Sequence, residues 1–438
     1  MKTPIPHDIP LPLPAAEVFL KTLLVLSFIA HLLFVNLMVG GAIFALIYEI
    51  RGRGNKIYDE LALFIAKTIT VNKSMAVVLG VAPLLIINVL YTVWFYAANS
   101  LTGSVWMLVV PSVAVAFLLT YLHKYTWTIL QQHKTIHISI IAIVVAIFLF
   151  IPLVFLTNIN LMLFPEKWAA VKGFVSAMML PSVFTRYLHF MAACISVTSL
   201  FLVWMFKYET FAKLESSLAE NRSFFIRQFY VIALIVTALQ FLIGPLVLIS
   251  LPSHGLSMKM LVTIFSGVFI AVPAIWLMWK EVQETGTAGS RVIKIASLLG
   301  LTVLCMASGR HFYREQALSH HKKAVAEKTI AYQKLVKEAQ EQAALQALVE
   351  SGPLDESTLL ERGKQLSHAC FACHGLDTRL VGPPLKEIAK IYTGNPDGIV
   401  AWTKAPGKKR PDYPQMPPMP LPDAELKIIA EYILKIGQ

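Results

Sequence analysis

Eight long runs of apolar residues limit this 438-residue chain to one kind of fold over most of its length. They lie at roughly 17–49, 70–98, 104–131, 137–158, 182–206, 224–251, 256–280 and 291–308. Crossing a bilayer takes about 20 mostly apolar residues in a helix, and each run supplies them. A lone strand in lipid would leave its backbone groups unpaired, so each run is expected to be helical. The composition agrees: 15% of residues are charged, against about 25% in soluble proteins. The expected fold is all-α: a polytopic bundle of about eight transmembrane helices over residues 1–309, a helical linker over 310–352 and a small domain over 353–438.

The joints between runs set the orientation. One set carries Arg51, Arg53 and Lys56; then Lys134; then Lys207, Lys213, Arg222 and Arg227; then Lys280, Arg291 and Lys294. The alternate set carries only Lys2, Lys167, Lys172 and Lys259, with none in 99–103. Basic residues stay on the cytoplasmic side, so the N-terminus and everything after the eighth run are expected outside, in the periplasm of a bacterial-type inner membrane. The same distribution explains the net charge of +12 without a nucleic-acid partner. The Pro-rich start, Met1 to Pro14, has one basic residue and no small-residue cleavage site, so the first run is expected to serve as an uncleaved anchor. Beyond the eighth run, residues to about Glu350 are rich in Ala, Lys, Gln and Glu, good helix formers, and Ser351-Gly352-Pro353 is a stop signal.

The small domain carries Cys370-Phe371-Ala372-Cys373-His374. Two thiols three residues apart can add to the two vinyl groups of a haem, and the following imidazole can ligate its iron. This is the c-type attachment motif. Cys194 and Cys305, inside apolar runs, have no such spacing and are expected to act as small hydrophobes. The competing readings of the motif are a redox dithiol and half a zinc site, but no second Cys pair follows. A second iron ligand is commonly a Met thioether, and Met416 and Met419 sit in the stiff Pro414-Gln415-Met416-Pro417-Pro418-Met419-Pro420 loop. Asp423 is placed to cap a last helix with Leu426, Ile429, Ile433 and Leu434 on one face. Over its whole length this domain resembles small class I cytochromes c. The match of Met416-Pro417-Pro418 to that family's Met-Pro-Pro run favours Met416, with Met419 in reserve, and Gly382-Pro383-Pro384 is similar to its pocket-lining Gly-Pro loop.

Ionisable residues inside a membrane are expected to be functional. His31 lies midway along the first run, His189 about two turns into the fifth, and Met258 and Met260 open the seventh. His189 and one of these methionines would lie at similar depth near the outer face, where a His and a Met across a bundle could ligate a haem b. The small residues Ala192, Ala193, Cys194 and Ser196 follow His189 and leave room for a flat macrocycle. The competing reading is a hydrogen-bonded structural histidine and methionine as core filler. His123, His133 and His137 fall near cytoplasmic ends, where solvated histidines are ordinary, and His254, in the turn before the seventh run, is a rival ligand.

At these residues the eight runs resemble subunit I of cytochrome bd oxidases. His31-Leu32-Leu33-Phe34-Val35-Asn36-Leu37 is similar to that family's His-Phe-Leu-Phe-Val-Pro-Leu, Arg186-Tyr187-Leu188-His189 to its Lys-Phe-Val-His, and Gly309-Arg310 to the opening of its Gly-Arg-Gln-Pro-Trp. The resemblance implies a low-spin haem b on His189 and Met260 (Met258 in reserve), a second membrane haem at His31, and Arg310 as a partner for a haem propionate. There are departures. The family's long quinol loop shrinks to about Pro252–Ser257; its glutamates fall on apolar positions near Val109 and Phe117 and near Gly300; and its ninth helix gives way to the haem c domain.

Three functions follow, all with haem c and haem b: an electron-transfer subunit of a respiratory complex, a cytochrome c-fed oxygen reductase, and a quinol-oxidising module. The short loop weighs against the third and the missing glutamates against the second, which His31 keeps in play. Expected partners are membrane lipid, other membrane subunits including a related bd-like one, and a periplasmic electron-transfer protein such as a cytochrome c.

Overall fold

A computed structural model describes residue 7 and residues 13–208, 216–284, 289–350, 356–408 and 410–437. It divides into two compact units, Met1–Lys328 and Thr329–Gln438.

The first unit holds α1 (Glu17–Gly52), α2 (Lys56–Leu90), α3 (Thr92–Thr102), α4 (Ser104–Met107), α5 (Val109–Tyr125), α6 (Lys134–Leu161), α7 (Phe174–Met178), α8 (Val183–Tyr208), α9 (Ser216–Glu220), α10 (Arg222–Ser250) and α11 (Met258–Gln283). Helix α12 (Val292–Glu350) begins there and continues into the second unit. Eight stretches are long and apolar enough to cross a membrane, with mean hydropathy from 1.9 to 3.2. The outside of the bundle is apolar too. Ile249 is 81% exposed, Phe269 80% and Val18 77%, a surface suited to lipid and not to water.

Local chemistry sets the helix ends. The Asn55 side chain accepts from the Ile57 amide at 3.0 Å and starts α2. Ser257 accepts from the Met260 amide at 3.3 Å and starts α11. Glu17 opens α1 and Arg51 closes it, each sign opposing the helix dipole. Pro83, Pro152, Pro245 and Pro273 sit inside helices, where packing in a membrane bundle offsets the lost backbone bond.

Two boundaries differ from the sequence expectation. The second span begins at Lys56, not near 70, and ends at Tyr91, where the backbone leaves the helical region before α3. Asp59, Glu60 and Lys67 lower the hydropathy of its first turns, yet Asp59 is nearly buried. The eighth span and the linker form one unbroken helix, α12, because nothing between Val292 and Glu350 interrupts the helical hydrogen bonding.

Helix α1 packs on α2, α6 and α8, and α10 packs on both α8 and α11. The α1–α8 crossing is close. A Cβ on Gly40 would stand 2.2 Å from Thr198 Oγ1 and 2.4 Å from the Cys194 carbonyl, so only glycine fits. Thr198 Oγ1 then donates to the Asn36 carbonyl at 3.0 Å, the small-residue packing usual where lipid gives helices no hydrophobic drive to associate. Two apolar clusters fill the interior. One, around Tyr48, Phe225 and Phe229, lies toward the basic joints. The other, around Leu24, Tyr91, Trp94, Met260 and Tyr313, lies toward the opposite end.

The second unit adds α13 (Glu356–Leu366), α14 (Leu385–Ile391), α15 (Pro396–Lys404) and α16 (Asp423–Ile436). Helix α16 is its spine, packing on α13, α14 and α15 through Leu426, Ile429, Ala430 and Ile433. Gly363 lets α13 come close, since a Cβ there would meet the Tyr432 Cβ at 2.4 Å and its ring at 2.8 Å. Asp423 is not the cap. Pro422 holds that position, and the Asp423 carboxylate pairs with Lys404.

Candidate haem-binding sites

In the second unit Cys370 lies in a 3₁₀ turn, Ser367–Ala372, that runs straight into Cys373 and His374. The Cys373 and His374 amides both donate to the Cys370 carbonyl, at 3.1 and 2.9 Å, which curls the motif into one tight turn. The Cys373 carbonyl takes the Gly382 amide at 2.8 Å, and the Gly375 carbonyl takes the Leu385 amide at 2.9 Å. These bonds fold the 382–384 loop back over the motif. His374 Nδ1 lies 2.7 Å from the Pro383 carbonyl. A carbonyl only accepts, so Nδ1 carries the proton and Nε2 keeps its lone pair for a metal. Iron- and zinc-binding histidines are usually oriented this way. Gly382 is part of the same device: a Cβ there would meet the His374 ring at 2.3 Å.

The residues present therefore fit a covalent haem. Burial raises the Cys370 thiol above its ordinary range, whereas a redox-active dithiol needs its thiolate stabilised. No further His, Cys or carboxylate among the described residues completes a zinc site with the two cysteines. Met416 and Met419 are both half-buried in the Pro-rich loop. The Met419 amide is held by the Thr403 carbonyl at 2.9 Å.

In the first unit, the seventh residue of α8 is His189 and the third of α11 is Met260, both near the end of the bundle away from the basic joints. His189 Nδ1 is buried with no hydrogen-bond partner, which argues against the purely structural, hydrogen-bonded histidine. Met260 is 1% exposed and packs in the second cluster, while Met258 is 75% exposed. Two residues apart on a helix is about 200° around its axis, so Met258 faces outward with Phe265 and Phe269. Of the two methionines, Met260 is the one that faces the bundle interior. His254 is exposed in the Ser253–Gly255 turn, outside the bundle interior.

Arg310 lies over the Phe28 ring, 5.3 Å from its centroid, near Arg186 and Arg314. Arg186 reaches Asn160 Oδ1 at 3.4 Å, and one terminal nitrogen of Arg314 is buried without a partner. Glu315, the carboxylate nearby, is already held by Lys21 at 2.7 Å, by Lys322 at 3.0 Å and by the Tyr91 hydroxyl. This region of the bundle carries more cation than it neutralises. His31 lies against α2, its Nδ1 2.8 Å from the Ala76 carbonyl and its ring on Gly80, whose added Cβ would stand 2.8 Å from it. Its Nε2 is left with a lone pair, as at His374.

Several buried groups had no signal in the sequence reading. Lys73 is fully buried in α2, its Nζ donating to the Phe117 carbonyl at 3.1 Å and resting 3.3 Å from the Tyr121 ring centroid. His123 and His137, expected to be solvated, are 2% and 0% exposed and meet Glu49. Only His133 of those three faces solvent.

Comparison with known proteins concerns the C-terminal region. Residues 360–437 match the family described as cytochrome c. The chain is 38% identical to cytochrome c-551 of Azotobacter vinelandii over 79 residues, 17% of this chain and 96% of that protein. It is 35% identical to cytochrome c-551 of Stutzerimonas stutzeri over 86 residues, 18% of this chain and 83% of that one. It is 37% identical to cytochrome c-552 of Hydrogenobacter thermophilus over 70 residues, 15% of this chain and 71% of that one. No solved structure matches. A turn that presents two thiols and an oriented imidazole, carried on a helical fold shared with these proteins, is the c-type haem site, and through this C-terminal domain the chain belongs to the cytochrome c family.

Proposed function

We propose that this chain is a membrane-bound multihaem cytochrome subunit of a respiratory complex, passing electrons between its covalent haem c and haem b within the bundle. The observation that carries this reading is His189, a histidine in a membrane helix whose Nδ1 is buried and unbonded. Met260 faces inward from α11 at the same end of the bundle, and with His189 it makes the ligand pair. The unneutralised guanidinium groups of Arg186, Arg310 and Arg314 support an anionic group there, and haem propionates have that charge. A haem supplies a one-electron iron couple. The protein's part is to orient His374 through Pro383, to seat the ring on Gly382, and to surround the membrane site with apolar side chains.

The bias of Lys and Arg between alternate joints supports an outer location for the haem c domain, in the periplasm of a bacterial-type inner membrane. In that arrangement haem c is the port for a soluble cytochrome-like partner. Further membrane subunits, a related bd-like one among them, complete the complex.

A second reading, a cytochrome c-fed, bd-like oxygen reductase, is favoured by His31, whose Nδ1 rests on the Ala76 carbonyl and whose Nε2 is left ligand-competent. The two readings separate on one preparation. His189→Ala should abolish the low-spin b band in the reduced spectrum and leave the c band; a b band that survives would remove His189 as the ligand. Oxygen uptake driven by reduced cytochrome c, lost in His31→Ala, would select the reductase, and none would select the electron-transfer subunit. Uptake driven by quinol instead would favour the quinol-oxidising module.

A further inference from the structure

At the basic end of the bundle, three helices bring together side chains far apart in sequence. Glu49 is in the last turns of α1, His123 in the last turn of α5 and His137 in the first turn of α6. Glu49 and His137 are 0% exposed and His123 2%. One ligand atom from each lies within 4.8 Å of the others.

The proton positions on His137 are constrained. Its Nε2 is 2.8 Å from the His123 backbone carbonyl. The carbonyl can only accept, so Nε2 holds a hydrogen. The Nδ1 of the same ring faces Glu49 Oε1 in close contact. A neutral imidazole protonated at Nε2 presents a lone pair at Nδ1, and a lone pair against a carboxylate oxygen repels. A positive centre has to lie between them. The other carboxylate oxygen, Glu49 Oε2, is 2.8 Å from His123 Nε2. The two rings stack with centroids 4.1 Å apart, tilted by 25°. A proton between His137 Nδ1 and Glu49 would make His137 alone an imidazolium, stacked on the His123 ring in a dry site beside Lys134, whose Nζ is 3.4 Å from Glu49. One ion shared by two neutral imidazoles and the carboxylate would answer the same lone-pair repulsion with neither ring charged.

We propose that Glu49, His123 and His137 bind a divalent transition-metal ion, zinc being the natural probe. Glu49 would give a carboxylate oxygen, His123 its Nε2 and His137 its Nδ1. Two histidines and a carboxylate suit such ions and leave a fourth position for water. The surroundings fit. The His137–His123 carbonyl bond is the orienting contact that metal-binding histidines use. Trp127 walls both rings edge-on, with centroids 5.3 Å from His123 and 4.8 Å from His137. The Lys134 ammonium is drawn off by Asp59, at 2.6 Å. The ion would clasp α1, α5 and α6 together.

The test uses the full chain in detergent, stripped with chelator and dialysed against buffered Zn²⁺, with zinc counted by mass spectrometry against covalent haem. The expected result is about one zinc per haem c. It should fall roughly tenfold or more in Glu49→Gln and His123→Asn, at unchanged haem c content. X-ray absorption at the zinc edge of the unsubstituted protein should show a light-atom shell near about 2.0 Å with imidazole scattering. Zinc below about a tenth per haem c, or bound zinc lacking imidazole scattering, would overturn the proposal and leave a purely protonic triad. Because the absorption spectrum needs no variant, it decides the matter even where the substitutions disturb folding.

Discussion

His374, of the c-type motif, and His189, proposed above as a haem b ligand, are prepared by the chain in opposite ways. In the C-terminal unit, His374 is oriented before any iron arrives: Pro383 holds Nδ1, Gly382 supports the ring, and the Cys370 carbonyl anchors the turn. In the membrane unit, His189 Nδ1 is buried with nothing to hold it. An unbonded ring nitrogen in an apolar interior costs about 1–3 kcal/mol. The difference is one of assembly. A covalent haem is bonded to a site that its own short peptide builds. A noncovalent haem, as proposed for the bundle, would have to be clasped by separate helices, and its ligand bond and propionate contacts would offset what those helices leave unsatisfied.

The largest effect expected on this comparison comes from the thioethers. Cys370→Ala combined with Cys373→Ala should abolish covalent haem staining on a denaturing gel while leaving the b bands in place. Loss of both together would mean that the two units do not assemble independently. Next is the second ligand of haem c. Met416→Ala should lower its reduction potential by a sizeable part of the about 0.8 V range that axial ligands command, whereas Met419→Ala should move it little; a redox titration reporting the reverse would exchange their roles. Smaller again is Gly382→Ala, which drives a Cβ into the His374 ring and should cost the haem c domain about 1–3 kcal/mol in a denaturant titration. Smallest is the methionine pair of α11. Met258→Ala, on the exposed face, should leave the b spectrum unchanged and Met260→Ala should perturb it, so a response to Met258 alone would reverse the assignment of faces.

How much of this was legible in the sequence depended on the distance between cooperating residues. The haem c site is carried by Cys370–His374 and the loop at Gly382, and a linear motif exposes it. The eight spans were legible because lipid demands long apolar helices, and only their ends moved, as where α2 begins at Lys56 with Asp59 turned toward Lys134. The Glu49–His123–His137 cluster was not legible. Its members stand 74 and 88 positions from Glu49, and what unites them is the rotation of α1, α5 and α6 about their own axes. A near-uniformly apolar helix has little periodicity from which to read that rotation. Met258 and Met260 were indistinguishable for the same reason until the inward face of α11 was known.

The proposed function requires one chain to carry both a covalent haem c and a haem b in its bundle. A pyridine haemochrome spectrum of the purified chain, with haem c counted by its covalent retention after acid–acetone extraction, tests it directly. One c haem per chain and at least one extractable b haem are expected. A full complement of haem c with no extractable haem would contradict the proposed function.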